Sequence, residues 1–112
     1  MLSKKYRLRA RGSFSYVRSH GTKSGGKYIT FTALKGNCKR IGFIVSNKVG
    51  KAVRRNKIKR RMRGIVQELL PNLANGQMIF IAKPGITSLT YSEIKESMNM
   101  LVEKAGFLKA SI

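Results

Sequence analysis

An α+β domain is the fold class this sequence predicts, and three observations carry that reading. Tyr28 to Leu34 and Ile41 to Ser46 alternate apolar and polar side chains, the period of strands with one buried face. From Asn47 to Leu70 the sequence takes on a helical period, set in by Ala52, and Pro71 marks the stop. Met78-Ile79-Phe80-Ile81-Ala82 then forms a continuous apolar run, so strands cluster ahead of a long helix and one more follows it. At 112 residues the chain has the size of one domain, spanning 1–112, because a half-length piece would bury too little core.

The elements follow in order. The first dozen residues interleave Lys4, Lys5, Arg7, Arg9 and Arg11 with Tyr6, Leu8 and Ala10, and read as a flexible basic arm that orders on a partner. Ser13 to His20 predicts a short helix, with Ser13 as cap, Phe14 and Val17 on one side and Gly21 as a left-handed stop. Arg18, four residues after Phe14, shares its face. Thr22 to Gly26 reads as a flexible connector. In the two alternating strands Ile29, Phe31, Ala33, Ile41, Phe43 and Val45 belong on the core. Their other face carries Tyr28, Thr30, Thr32, Gly42 and Ser46 and is open to a ligand. Lys35-Gly36-Asn37-Cys38-Lys39 between them has the composition and length of a hairpin loop. In the long helix Ile58, Met62, Ile65, Val66, Leu69 and Leu70 gather in one arc, beside a stripe of Arg55, Asn56, Lys59, Arg60 and Arg63. Gln77 to Lys83 predicts a strand buried on both faces, broken by Pro84-Gly85. Thr90-Tyr91-Ser92-Glu93 is a capping box for a last helix that buries Ile94, Met98, Leu101, Val102 and Ala105 and ends at Gly106.

Composition narrows the function classes. Lysine and arginine number 24 against 4 acidic residues, a formal charge of +20, while 42% of the residues are hydrophobic. So apolar a chain can fold, and so cationic a surface repels itself unless a polyanion neutralises it. Nucleic acid is the leading partner class and an anionic membrane the lesser one. Four glutamates and one histidine leave little for acid–base catalysis or for a metal site, so the reading assigns no catalytic residue and no protein-held metal. Cys38 alone permits neither an internal disulfide nor a cysteine-based zinc site. No window approaches the roughly 18 apolar residues of a membrane span, so a soluble, cytoplasmic protein is expected.

The densest signal lies between Lys51 and Arg63, where eight of thirteen residues are Lys or Arg and none is acidic. No ion pair one turn away relieves that repulsion, and guanidinium groups suit forked contacts to phosphate oxygens. Phe31 and Phe43 match the core parity, whereas Tyr28 and Phe14 fit either partial burial or stacking on unpaired bases. His20 reads as a partner for the end of the first helix rather than a base.

The stretch Val45-Ser46-Asn47-Lys48-Val49-Gly50-Lys51-Ala52-Val53-Arg54-Arg55-Asn56-Lys57-Ile58-Lys59-Arg60-Arg61-Met62-Arg63 resembles the signature of the bacterial ribonuclease P protein subunit. Phe14 with Val17 and His20-Gly21, the strand pair, Ile79 to Lys83 and Leu89-Thr90-Tyr91 agree over nearly the whole chain. The resemblance implies an α-β-β-β-α-β-α two-layer sandwich, like the second domain of ribosomal protein S5, with a left-handed βαβ crossover. It also implies a protein cofactor of an RNA enzyme that removes the 5′ leader of precursor tRNA in the cytoplasm. The catalytic RNA carries the chemistry and holds the Mg²⁺, with one protein per RNA and no membrane. Carried across, Lys51, Arg55, Asn56, Lys57, Lys59, Arg60 and Arg63 would contact the catalytic RNA. A cleft of Phe14, Arg18, Tyr28, Thr30 and Thr32 would hold the leader. Lys57 stands where the family usually has arginine, and Arg18 and Thr32 where relatives often have aromatics, so ionic contact replaces part of the stacking. The Lys35–Lys39 loop lacks the acidic residues some relatives carry. Two other classes fit the composition: a ribosomal protein that scaffolds ribosomal RNA, and a DNA-architectural protein, though no minor-groove wedge supports the latter.

Overall fold

The computed structural model describes residues 6–8, 11–36 and 39–107, with the backbone alone for 11–13. Met1 to Lys5, Arg9 and Ala10 of the expected arm, and Asn37 and Cys38 of the expected hairpin loop, lie outside the described residues. The elements are α1 (Arg11–His20), β1 (Thr22–Gly25), β2 (Ile29–Lys35), β3 (Lys39–Val45), α2 (Ala52–Leu69), β4 (Gly76–Ala82) and α3 (Tyr91–Lys104). This is the α-β-β-β-α-β-α order that the resemblance implies.

The sheet runs β1-β2-β4-β3, with β4 antiparallel to β2 and parallel to β3. The expected hairpin is therefore corrected: β2 and β3 are not neighbours, because β4 lies between them. Its apolar run explains the position, since a strand apolar on both sides is best buried in the middle of a sheet with a partner on each edge. Phe31, Phe80 and Phe43 stand in register across the three strands, with ring centroids 4.8 and 5.9 Å apart.

Thr22 to Gly25 is a strand, not a connector: it pairs antiparallel with β2. Its only buried side chain is Ser24, so backbone pairing makes it a strand and no apolar alternation announces it. The expected arm needs a similar correction. Leu8 is buried and its amide donates to the Ile41 carbonyl at 2.9 Å, while Arg7 bridges to Ile41 in parallel. Tyr6 packs on one face of the sheet and Leu8 on the other, so residues 6–8 wrap the outer edge of β3.

On one face, Ile58, Met62, Ile65, Val66 and Leu69 of α2 and Ile94, Met98, Leu101 and Val102 of α3 pack against Ile29, Phe31, Ala33, Ile41, Met78 and Phe80. These are the side chains that the two helical periods select. On the other face α1 sets Val17 against Leu8 and Ile79, with Phe14, Leu34, Ile44 and Ile81 around them. The approach is close because Gly42 has no side chain: a Cβ there would lie 2.4 Å from Phe14 Cζ.

α1 starts at Arg11, ahead of the Ser13 expected to cap it. Gly21 is not left-handed, since positive φ occurs at Gly50, Gly76, Gly85 and Gly106 among the described glycines. Its role is clearance, because a Cβ at Gly21 would sit 2.6 Å from the Val17 carbonyl oxygen. The capping box of α3 forms as expected: Glu93 N–H donates to Thr90 Oγ1 at 3.2 Å and Thr90 N–H to Glu93 Oε1 at 2.9 Å.

Candidate nucleic-acid interface

α2 places its cations according to the same period that buries its core. Arg55, Lys59 and Arg63, spaced by four residues, run half-buried along one border of the apolar arc, with Asn56 and Arg60 exposed beyond them. Lys51 is the N-cap residue, makes no side-chain capping bond, and is followed by a first turn without an acidic residue. Lys51 and Lys57 are both exposed. Cations at a helix N-terminus oppose the helix dipole, so this end of α2 gains from any anion brought to it.

Arg55 is held in place by a residue that sequence reasoning missed. Its Nη1 donates to Asn47 Oδ1 at 2.6 Å, across the 3₁₀ turn Asn47–Val49 between β3 and α2. Its Nε is buried without an acceptor among the described residues. No local pattern links residues eight apart across a helix start, so only the fold reveals this pair.

Among the described residues the one ion pair is Lys95 with Glu68 at 2.7 Å, so no carboxylate there pairs with a cation of Lys51 to Arg63. The Glu68 carboxylate accepts a hydrogen bond from Lys95 and its charge adds to the effect, raising the lysine above its ordinary 10.5. Glu93 is committed to the capping box.

The second group of expected residues divides. Gly25, Thr30, Ile81 and Ile44 stand in one register row on the α1 face, and the last three are half-buried. Half-buried Phe14 of α1 packs against this face, and Arg18, one turn further along α1, is exposed. Thr32 belongs to the next row, with Ile79 and Gly42, and is only 1% exposed beneath α1. Tyr28 is not in this cleft. It lies in a bend ahead of β2, where strand alternation no longer governs its direction, and packs against the α2–α3 side. There it lines a separate hollow with Ser97, Met100 and Leu101, with Lys27 Nζ 5.3 Å from its ring. His20 Nδ1 donates to the Tyr16 carbonyl at 3.0 Å and its ring stacks on Tyr16, so it closes the end of α1.

Among the described residues no three His, Cys, Asp or Glu side chains cluster as metal ligands would, and no helix is long and apolar enough to cross a membrane. What remains is a small, very cationic α+β protein with one unneutralised helix on one face of its sheet and, on the other, a row of half-buried side chains that α1 does not fully cover. The chain belongs to the ribonuclease P protein family: the family model described as Ribonuclease P matches residues 2–106. It is 34% identical to the ribonuclease P protein component of a Geobacillus species, covering 99% of each chain. It is 33% identical to that of Symbiobacterium thermophilum, covering 96% of this chain and 97% of the relative. The fold matches the ribonuclease P protein of Staphylococcus aureus with a TM-score of 0.85 at 26% identity, over 100% of this chain and 98% of that one. The protein thus serves tRNA processing as a component of the ribonuclease P holoenzyme, an endoribonuclease, and its partner is an RNA subunit.

Proposed function

We propose that this chain is the RNA-gripping cofactor of that holoenzyme, and that the catalytic RNA performs the hydrolysis. The observation that carries the reading is α2: eight cations within Lys51 to Arg63, no acid among them, and none in an ion pair among the described residues. Lys51, Arg55, Asn56, Lys57, Lys59, Arg60 and Arg63 contact the catalytic RNA, arginines by forked bonds to phosphate oxygens and Asn56 by its amide to a base or ribose. Asn47 fixes the Arg55 guanidinium before the RNA arrives, which lowers the ordering cost of that contact.

The half-buried row beside α1 holds the 5′ leader of precursor tRNA. Phe14 offers a ring edge for an unstacked base, Arg18 a phosphate contact, and Thr30 a hydroxyl on the floor. Thr32 supports that floor from beneath α1, and Tyr28 lies outside the cleft. The Mg²⁺ ions that activate phosphodiester hydrolysis sit on the RNA. Two of the protein's four carboxylates, Glu68 and Glu93, are already committed to structural bonds, which supports that division of labour.

The test is cleavage of a 5′-extended precursor tRNA by a bacterial ribonuclease P RNA at limiting Mg²⁺, with and without the protein, beside the protein alone. The expected outcome is an inert protein that rescues cleavage at the mature 5′ end. RNA binding without any gain in cleavage would leave the cofactor reading without support.

A further inference from the structure

The flank of α2 that faces α3 carries a second set of cations. Arg54, Lys57 and Arg61 line one wall of a groove of about 550 Å³, whose other wall is the turn Thr87, Ser88, Leu89 and Thr90 leading into α3. Of these cations, only Lys57 belongs to the set carried over above. We infer that this groove is a second binding site for RNA phosphodiester groups, so that α2 meets RNA backbone on both of its flanks. The inference rests on the reading of α2 as an RNA-binding helix and adds a site to it.

Four features support it. First, the cations sit at i, i+3 and i+7, one helix flank over about 10 Å of rise, long enough to meet more than one phosphate along a strand. Second, no carboxylate lines the groove, and Glu93 is bonded to Thr90 and Glu68 to Lys95 rather than to any of its cations. Three like charges share one concavity and none of them is in an ion pair among the described residues, an arrangement that favours an anion. Third, Ile58 and Leu89 form an apolar floor, and a low-dielectric wall strengthens the field of charges above it. Fourth, the opposite wall supplies donors. The Thr90 hydroxyl accepts from Glu93 N–H and so keeps its own proton to give, and Thr87 is exposed. The Ser88 hydroxyl already donates to the Gly85 carbonyl at 2.7 Å.

A charge run on a helix is often only a solvated face. Here the cations bound a walled groove, and Arg61 is half-buried with no acidic partner among the described residues, which a solvated face would not require.

The experiment measures binding of the full-length protein to ribonuclease P RNA as a function of monovalent salt. It compares the wild type, Arg54→Gln with Arg61→Gln, and Arg60→Gln with Arg63→Gln, with thermal melts of each as the folding control. Removing a cation that neutralises one phosphate lowers the slope of log K against log salt by about 0.9. The groove variant should therefore flatten the slope by about 1.8 while melting at or above the wild-type temperature, since repulsion has been removed. If the groove variant keeps the wild-type slope while the outer-flank variant flattens it, the groove is empty of RNA and the inference fails, with the reading of α2 intact. If neither pair changes the slope, the reading of α2 itself fails and takes the groove with it. A parallel titration with inorganic phosphate separates the source of the anion. Phosphate that raises the wild-type melting temperature but not that of the groove variant, with the RNA slope unchanged, would assign the groove to a free anion and overturn the RNA site.

Discussion

Arg60 and Arg63 sit on the outer flank of α2 with no acidic partner among the described residues, so their removal separates binding from stability. Arg60→Ala with Arg63→Ala should weaken binding to the RNA subunit and flatten its salt dependence by about one unit per arginine. Stability should move by no more than about 0.5 kcal/mol, as for surface positions elsewhere. Fluorescence anisotropy and a thermal melt of the same preparation give both numbers. Gly42 is the opposite case, because the Phe14 ring occupies the space a side chain would need. Gly42→Val should destabilise by about 1–3 kcal/mol as the ring and α1 are pushed off the sheet. Urea unfolding measures that cost, and leader affinity should fall with it.

The capping box and the α2–α3 ion pair decide events at the scale of elements. Thr90→Ala removes one half of the box and should cost about 1 kcal/mol, read as a lower urea midpoint at unchanged slope. Lys95 is raised by Glu68, so the pair's contribution is complete below the ordinary lysine value of 10.5 and is lost as pH climbs through the raised one. As pH rises from neutrality, the melting temperature of the wild type should therefore converge on that of Glu68→Gln only above that pH, the two curves staying parallel near neutrality. Elements with side-chain periodicity are legible in the sequence: the buried arcs of α2 and α3, the Thr90 cap and the two-sided burial of β4 follow from it. β1 is not, because Thr-Lys-Ser-Gly carries no apolar pattern and owes its strand to the β2 backbone. The pairing of β2 with β3 misleads for a related reason. A short polar loop describes how a chain turns, and says nothing about a third strand arriving from beyond a helix. At the site, the cationic stripe is visible by counting, whereas the Asn47–Arg55 bond, the cover over Thr32 and the departure of Tyr28 to the far side require the fold.

At the scale of the molecule, the 112 residues together carry a formal charge of +20, and association with RNA should reflect it. If on the order of six phosphates are neutralised, affinity should fall about a thousandfold between 50 and 200 mM monovalent salt. Filter binding across that range checks it, and a nearly flat response would remove the electrostatic account. The sheet order has a further consequence for how the chain reaches this state. β2 and β3 leave the ribosome early, yet each has one edge reserved for a strand that is translated only after α2. Until residues 76–82 emerge, a nascent chain holds two apolar strands with a vacancy between them, and local hairpin formation is the trap to be avoided during synthesis. The fold therefore closes from the centre, once β4 has been translated and fills that gap.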